Sequence, residues 1–231
     1  MRNSEATRER ILAAAMAEFS AYGIAGARVD RIATTAGCNK NLIYIYFENK
    51  ETLFTAILQK HLARVYQEVS FSPDDLPAYA MGLFDFAMAH PDLMRLMAWF
   101  GLEKNTLGRA HRGPSLEGKI TALMKARKAG QVGTGFSPRF LLTAITAVAT
   151  AWTAANPFVP WLDPDAHLRP AALRRHIAQA ARVLSESGIN EAAARHDQTA
   201  QSRRAENEKL DRRSGRAQAA GRRVRRRPHL I

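Results

Sequence analysis

One cysteine, Cys38, stands alone among 231 residues. That excludes an intrachain disulfide and is in keeping with a reducing compartment. No secretory leader is expected either: Glu5 and Glu9 interrupt the start, and no small-residue cleavage pattern follows. The chain is therefore expected in the cytoplasm. Long apolar runs are absent too. The one extended uncharged stretch, Phe140 to Leu162, is rich in Ala and Thr, and Asn156, Pro157 and Pro160 break it. A membrane span needs roughly 20 apolar residues in a row, so a helix buried at a subunit interface suits this stretch better. No segment alternates with the two-residue period of a strand, and an all-α fold is expected. Equally missing are a glycine-rich phosphate loop, a His/Cys cluster at metal-ligand spacing and a nucleophile motif. Neither catalysis nor a cofactor or metal is expected.

Acidic residues are in short supply. Thirty-four Lys and Arg face 21 Asp and Glu, a net charge of +13, and such a field favours polyanions. The excess is uneven. Residues 190–231 hold twelve Lys/Arg against five Asp/Glu, so +7 of the +13 lies there. This Arg-rich tail, 189–231, has few large apolar residues before Leu230 and is expected to be disordered. Of three readings for it, inert extension, non-specific DNA binding or an acidic partner, the second is favoured, with each phosphate contact steepening the salt dependence.

The remainder reads as helix. Ile11, Leu12, Ala15, Met16 and Phe19 form one stripe of a first helix, about Ser4 to Ala21, ended by Tyr22-Gly23. Val29, Ile32, Ala33 and Ala36 mark a second, short helix that stops at Gly37. A third starts at Asn39 and carries Leu42, Ile43, Tyr46 and Phe47. After a turn at 48–50, a long helix is expected from Glu51 to about Val69. Further on, Pro and Gly punctuation divides the chain into five candidate helices. Ser137 and Asp163 have the chemistry to cap helices that open with Pro138 and Pro164.

Two short helices joined by a tight turn become a helix-turn-helix when they pack crosswise. That packing needs a small residue at the crossing and a glycine in the turn, and Ala33 and Gly37 supply both. Ile11, Ala15 and Phe19 of the first helix would complete the core with Val29, Ile32, Ile43 and Phe47. The second short helix is then free to enter a DNA major groove by its N-terminal end.

The stretch from Tyr22 to Leu53 resembles the TetR-type family of transcription regulators. Its Ile32-Ala33, Ala36-Gly37, Tyr44-x-Tyr46-Phe47 and Lys50-Glu51-x-Leu53 elements fall in that family's register, and the likeness runs from about Thr7 to Leu58. The resemblance implies a repressor that binds a palindromic double-stranded DNA operator as a homodimer and is released by a small-molecule effector, acting at the bacterial nucleoid. It implies that Tyr44 and Lys50 hold the DNA backbone, that Asn39 caps the recognition helix, and that Lys40, Asn41 and Ile45 face bases or phosphates. Tyr46 is a further DNA candidate, though equally a half-buried aromatic. Ala27 departs from the family's usual threonine, and Arg28 is expected to replace the lost phosphate hydrogen bond with a charge. Asn41 stands where glycine is common, and Cys38 reads as a small hydrophobe in the turn.

The expected architecture is thus a three-helix head, 1–50, and a helical ligand-sensing and dimerisation domain, 51–188, with the tail at 189–231. Segments 137–155 and 164–187 are the dimer candidates, because the first is apolar nearly all round. Phe84, Met88, Met94, Met97, Trp99, Phe100 and Trp152 are candidates to line a pocket for a lipophilic or aromatic effector, although such a set at helical spacing also suits a plain core. His90 and His111 are weighed as polar handles or as surface or capped histidines. The rival readings are a ligand-independent or activating regulator and, from a different class, a membrane-associated basic protein.

Overall fold

Periodicity of about 3.6 in the apolar residues produces helices throughout. The computed structural model describes residues 2–103, 114–154 and 156–188. Among them are α1 (Arg2–Gly26), α2 (Val29–Ala36), α3 (Lys40–Phe47), α4 (Lys50–Glu68), α5 (Leu76–Ala89), α6 (Pro91–Glu103), α7 (Pro114–Lys128), α8 (Pro138–Thr150), α9 (Val159–Leu162) and α10 (Pro170–Glu186), with a 3₁₀ turn at Ala166–Leu168 before α10. No strand occurs among the described residues. No described helix is long and apolar enough to cross a membrane. The Arg-rich tail and His111 lie outside the described residues.

The first three helices share one small core. Ile11, Ala15 and Phe19 of α1, Ile32, Ala33 and Ala36 of α2, and Ile43 and Phe47 of α3 are all buried. The expected end of α1 is half right: Gly23, at φ 70 and ψ -178, breaks the helix, and one further turn follows to Gly26. Only glycine adopts that conformation without strain.

The head does not stand apart from the body. Phe54 of α4 meets Phe19 edge-on at 5.4 Å and stacks on Phe100 of α6 at 6.0 Å. Trp99 Nε1 donates to the Ser20 carbonyl at 3.3 Å. The described residues up to Ser187 accordingly form one compact unit.

At the centre of the body lies α5. Leu76, Tyr79, Ala80, Leu83, Phe84, Phe86 and Ala87 are buried along one broad face, while Ala78, Asp85, Met88 and Ala89 stay exposed on the other. Its start is capped by Asp75, whose carboxylate accepts from Ala78 N at 2.9 Å. Helices α8 and α10 pack on α5 through Leu141, Leu142, Ile145 and Ala149 and through Leu173, Ile177 and Ala181. Arg174 pairs with Asp85 at 2.9 Å across the outside. The loop before α8 is fastened to the end of α10, with Gly133 N on Ser185 O at 2.7 Å and Gly135 N on Ser187 O at 2.8 Å. A side chain at Gly133 would collide with the Ser187 backbone.

Two helix starts tell opposite stories. Ser137 caps α8 as expected, accepting from Phe140 N at 3.2 Å. Asp163-Pro164 does not open the last helix, which begins six residues later at Pro170. The Asp163 carboxylate is taken instead by Trp152 Nε1, at 3.3 Å, and by Arg169, at 2.7 Å. Those tertiary bonds compete with a local cap and win. The expected helix at 164–187 is therefore corrected to α10, and the one at 137–155 to α8.

Candidate nucleic-acid interface

The turn between α2 and α3 is set by local chemistry. Gly37 takes the left-handed conformation, φ 63, and its N–H together with Cys38 N–H closes α2 on the carbonyls of Thr34 and Ala33. The Asn39 side chain then accepts from Asn41 N at 2.9 Å, capping α3. Cys38 sits half-buried in that turn. At the far end Glu48 carries a positive φ of 60, the one such non-glycine among the described residues. It bends the chain sharply enough for Asn49 to cap α4, its side chain accepting from Thr52 N at 2.8 Å. Sequence reasoning placed only a turn here and missed the cap.

This frame fixes which side chains of α3 face outward. Ile43 and Phe47 point into the core, while Asn41, Tyr44 and Ile45 are exposed. Ile45 is 76% exposed, a large apolar group that the core does not use. At eight residues α3 is roughly 12 Å long, comparable with the width of a B-DNA major groove.

Basic groups stand around the helix in different states. Arg28 is exposed and occupies the cap position of α2. Lys40 is held by Asp30 at 2.9 Å, and that bond raises its pKa above the ordinary lysine value. The Lys50 ammonium reaches back to the carbonyls of Ala27, at 3.3 Å, and Ala25, at 3.5 Å. An ammonium has three donors, so one is left for another acceptor. Tyr46 is half-buried, and its hydroxyl is engaged with Ser4 Oγ at 2.8 Å and Ser4 O at 3.1 Å. Of the candidates it is the one most committed to the head's own structure.

One residue essential to this layout escaped the sequence reading. Glu18, 8% exposed, accepts from Arg28 N and from Arg31 Nε, both at 2.8 Å. Burial alone would raise its pKa. The hydrogen bonds from Arg31 and the Arg28 N–H, with the charges of both arginines, outweigh burial and hold it below the ordinary carboxylate value. Glu18 thereby fixes the start of α2 against α1. The signal was available, since Glu18 falls seven residues after Ile11, on the buried stripe.

The effector candidates divide into two groups. Phe84, Met88 and Trp152 line a cavity of about 280 Å³ with Val159, Asp163 and Leu173. Met94, Met97, Trp99 and Phe100 lie on α6, which packs against α1, and do not line that cavity. His90 caps α5: its ring stacks on Phe86 and Nδ1 lies 2.8 Å from the Phe86 carbonyl. Nearby on α4, His61 keeps a buried Nδ1 with no hydrogen-bond partner among the described residues. Burial, then the charges of Arg64, Lys60 and His90, push its pKa below the ordinary histidine value.

A compact three-helix unit that presents a short capped helix by its polar face is a helix-turn-helix DNA-binding head. Comparison with known proteins gives the family. The model for bacterial regulatory proteins of the tetR family matches residues 11–57, and that for the tetracyclin repressor-like C-terminal domain matches residues 75–182. The transcriptional repressor SCO4008 of Streptomyces coelicolor is 38% identical over 159 residues, which is 68% of this chain and 82% of that one. The repressor NicS of Pseudomonas putida is 29% identical over 130 residues, 53% of this chain and 61% of its own. Among solved structures, the transcriptional regulator SCO4942 of Streptomyces coelicolor aligns with a TM-score of 0.63 at 36% identity, covering 75% of this chain and 97% of that one. The chain belongs to the TetR family of transcription regulators.

Proposed function

We propose that this regulator is a repressor that binds a palindromic operator as a homodimer and leaves it when a small lipophilic or aromatic effector occupies the body. The observation that carries the proposal is the outward face of α3. Asn41, Tyr44 and Ile45 are exposed at helical spacing, on a helix whose other face is anchored by Ile43 and Phe47. Asn41 would pair with a base edge, Ile45 would touch a thymine methyl, and Tyr44, Lys50 and Arg28 would hold phosphates. Lys40 would exchange Asp30 for a phosphate on binding. Asn39 serves by capping, and Tyr46 by tying α3 to the start of α1.

The homodimer is assigned to α8 and α10. Between them and along their outer faces, Phe140, Phe158, Trp161, Leu162, Leu168 and Val183 are exposed, Trp161 by 80%. Exposed large apolar groups in contact with one another mark an association site, and Phe158 and Trp161 pack with ring centroids 6.4 Å apart. A two-fold dimer presents two heads, so the operator would be a palindrome with half-sites about one helical turn apart or somewhat more. The head is taken as 1–50, the sensing and dimerisation domain as 51–188, and the place of action as the cytoplasm, at the chromosome. An effector that prefers the dimer with its heads wrongly spaced would shift the population away from DNA. The cavity at Phe84, Met88 and Trp152 is its proposed seat. Selection of bound sequences from random DNA tests the reading. A recovered palindrome supports it, and a pool without sequence preference refutes it.

A further inference from the structure

Lys119, on α7, has an unusual setting. Its ammonium lies over three aromatic rings, 4.7 Å from the centroid of Tyr79, 5.2 Å from Tyr66 and 5.3 Å from Phe71. It also donates to the Tyr79 hydroxyl at 3.0 Å. Among the described residues no carboxylate pairs with it. Lys40 and Lys60, by contrast, each have an acidic partner. The charge of Lys119 is thus compensated by π faces and one hydroxyl. Burial pushes Tyr79 up to about 12, so its hydroxyl is a neutral phenol that accepts as a dipole.

Host and guest come from different parts of the chain. Tyr66 lies near the end of α4, Phe71 in the connection that follows, and Tyr79 on α5. Phe71 and Tyr79 brace each other edge-on, with centroids 5.0 Å apart at 88°. Tyr79 is 5% exposed, while Tyr66, at 44%, leaves one side open to solvent. The rings are therefore held by the α4–α5 corner, and the ammonium arrives from α7 on a flexible four-carbon stem. An aromatic cage attracts positive charge through the negative faces of its rings, whatever molecule bears the charge. It favours the cation with the least hydration to lose. A primary ammonium is strongly hydrated, and an alkylated one sheds less water on entry.

We propose that the Tyr66–Phe71–Tyr79 cage is a binding site for alkylated ammonium compounds, which enter by displacing Lys119. The tethered lysine acts as a resident competitor and sets how weakly a free cation binds. A tertiary ammonium keeps one N–H for the Tyr79 hydroxyl and is preferred over a quaternary one. The site is separate from the cavity at Trp152 and shares no residue with the DNA-facing surface.

Titration calorimetry of the full chain without DNA tests this, with trimethylammonium and tetramethylammonium chloride as probes at constant ionic strength. Because DNA is absent, the result stands apart from the operator reading. Lys119→Ala vacates the cage and is expected to bind both probes at least about tenfold more tightly than the parent chain, since the packed helix α7 no longer holds a competing ammonium against the rings. Adding Tyr66→Leu at the exposed wall should abolish the gain, and thermal melting of each variant reports folding. Equal binding by the parent chain and Lys119→Ala, or undiminished binding after Tyr66→Leu, would overturn the proposal.

Discussion

The head and the body are both helical, yet they spend their residues differently. In the head, two eight-residue helices are too short to persist alone, so each position is committed. Gly37 takes a left-handed turn, Asn39 caps, Ile43 and Phe47 anchor, and Glu18 ties two elements together. In the body, longer helices around α5 need only apolar periodicity. That leaves room for a cavity, for a cage around Lys119 and for the exposed Trp161 on α9. Tight geometric demand leaves few sequences able to meet it, and looser demand leaves many. The same contrast explains why the head was recognisable from short motifs, whereas the body's likeness needed the match over residues 75–182.

The largest test of this division lies where the two regions join. Phe19→Ala removes a fully buried ring that touches Phe54, and a loss of about 3–5 kcal/mol is expected in denaturant unfolding. Because Phe54 also stacks on Phe100, head and body should lose stability together, in one transition. Separate melting of the head would show that the two regions are less coupled than their packing indicates.

Within the head, Glu18→Gln should cost about 2 kcal/mol near neutral pH, through weakened charged hydrogen bonds to Arg31 and the Arg28 N–H. Its folded pKa lies below the ordinary value, so the stabilisation is complete above the unfolded carboxylate pKa and fades as pH falls through the depressed one. The gap between parent and variant, followed by urea denaturation, should therefore narrow below about pH 4. A gap independent of pH would mean that the charge of Glu18 is immaterial.

The body offers a smaller effect of the same pH sense, at a higher pH. His61 is held neutral by burial and by the nearby charges of Arg64, Lys60 and His90. Its protonation opposes folding, and stability should decline as pH drops through about 6.5 toward its depressed folded value. His61→Leu leaves no orphaned ring nitrogen and should flatten that part of the profile by less than about 1 kcal/mol. An unchanged slope between pH 7 and pH 5 would remove His61 from the account.

What was legible in the sequence follows the same line. The ends of α2 and α3 were readable because glycine at a left-handed position and an asparagine cap act over one to three residues. The start of α8 at Ser137 was readable for the same reason, and the buried stripe of α1 from its apolar period between Ile11 and Phe19. Asp163-Pro164 carried an equally good local signal and misled, because Trp152 and Arg169, eleven and six residues away, claim the carboxylate. Glu18 went unread because its partners are ten and thirteen residues away. The apolar set of α5 and α6 could not be divided from sequence, since lining a cavity and filling a core call for the same side chains. Only packing places Phe84 and Met88 at the cavity and Trp99 and Phe100 beside the head.

The central claim is that α3, held by its cap and its two anchors, reads DNA through Asn41 and Tyr44. Fluorescence anisotropy with the selected operator and a scrambled duplex, comparing the parent chain with Asn41→Ala/Tyr44→Ala, tests it most directly. Neither side chain is buried, so the fold should survive. Operator affinity should fall by about 2–4 kcal/mol, and affinity for the scrambled duplex by a smaller amount, the share of the Tyr44 phosphate contact alone. Undiminished preference for the operator in the double variant would contradict the account.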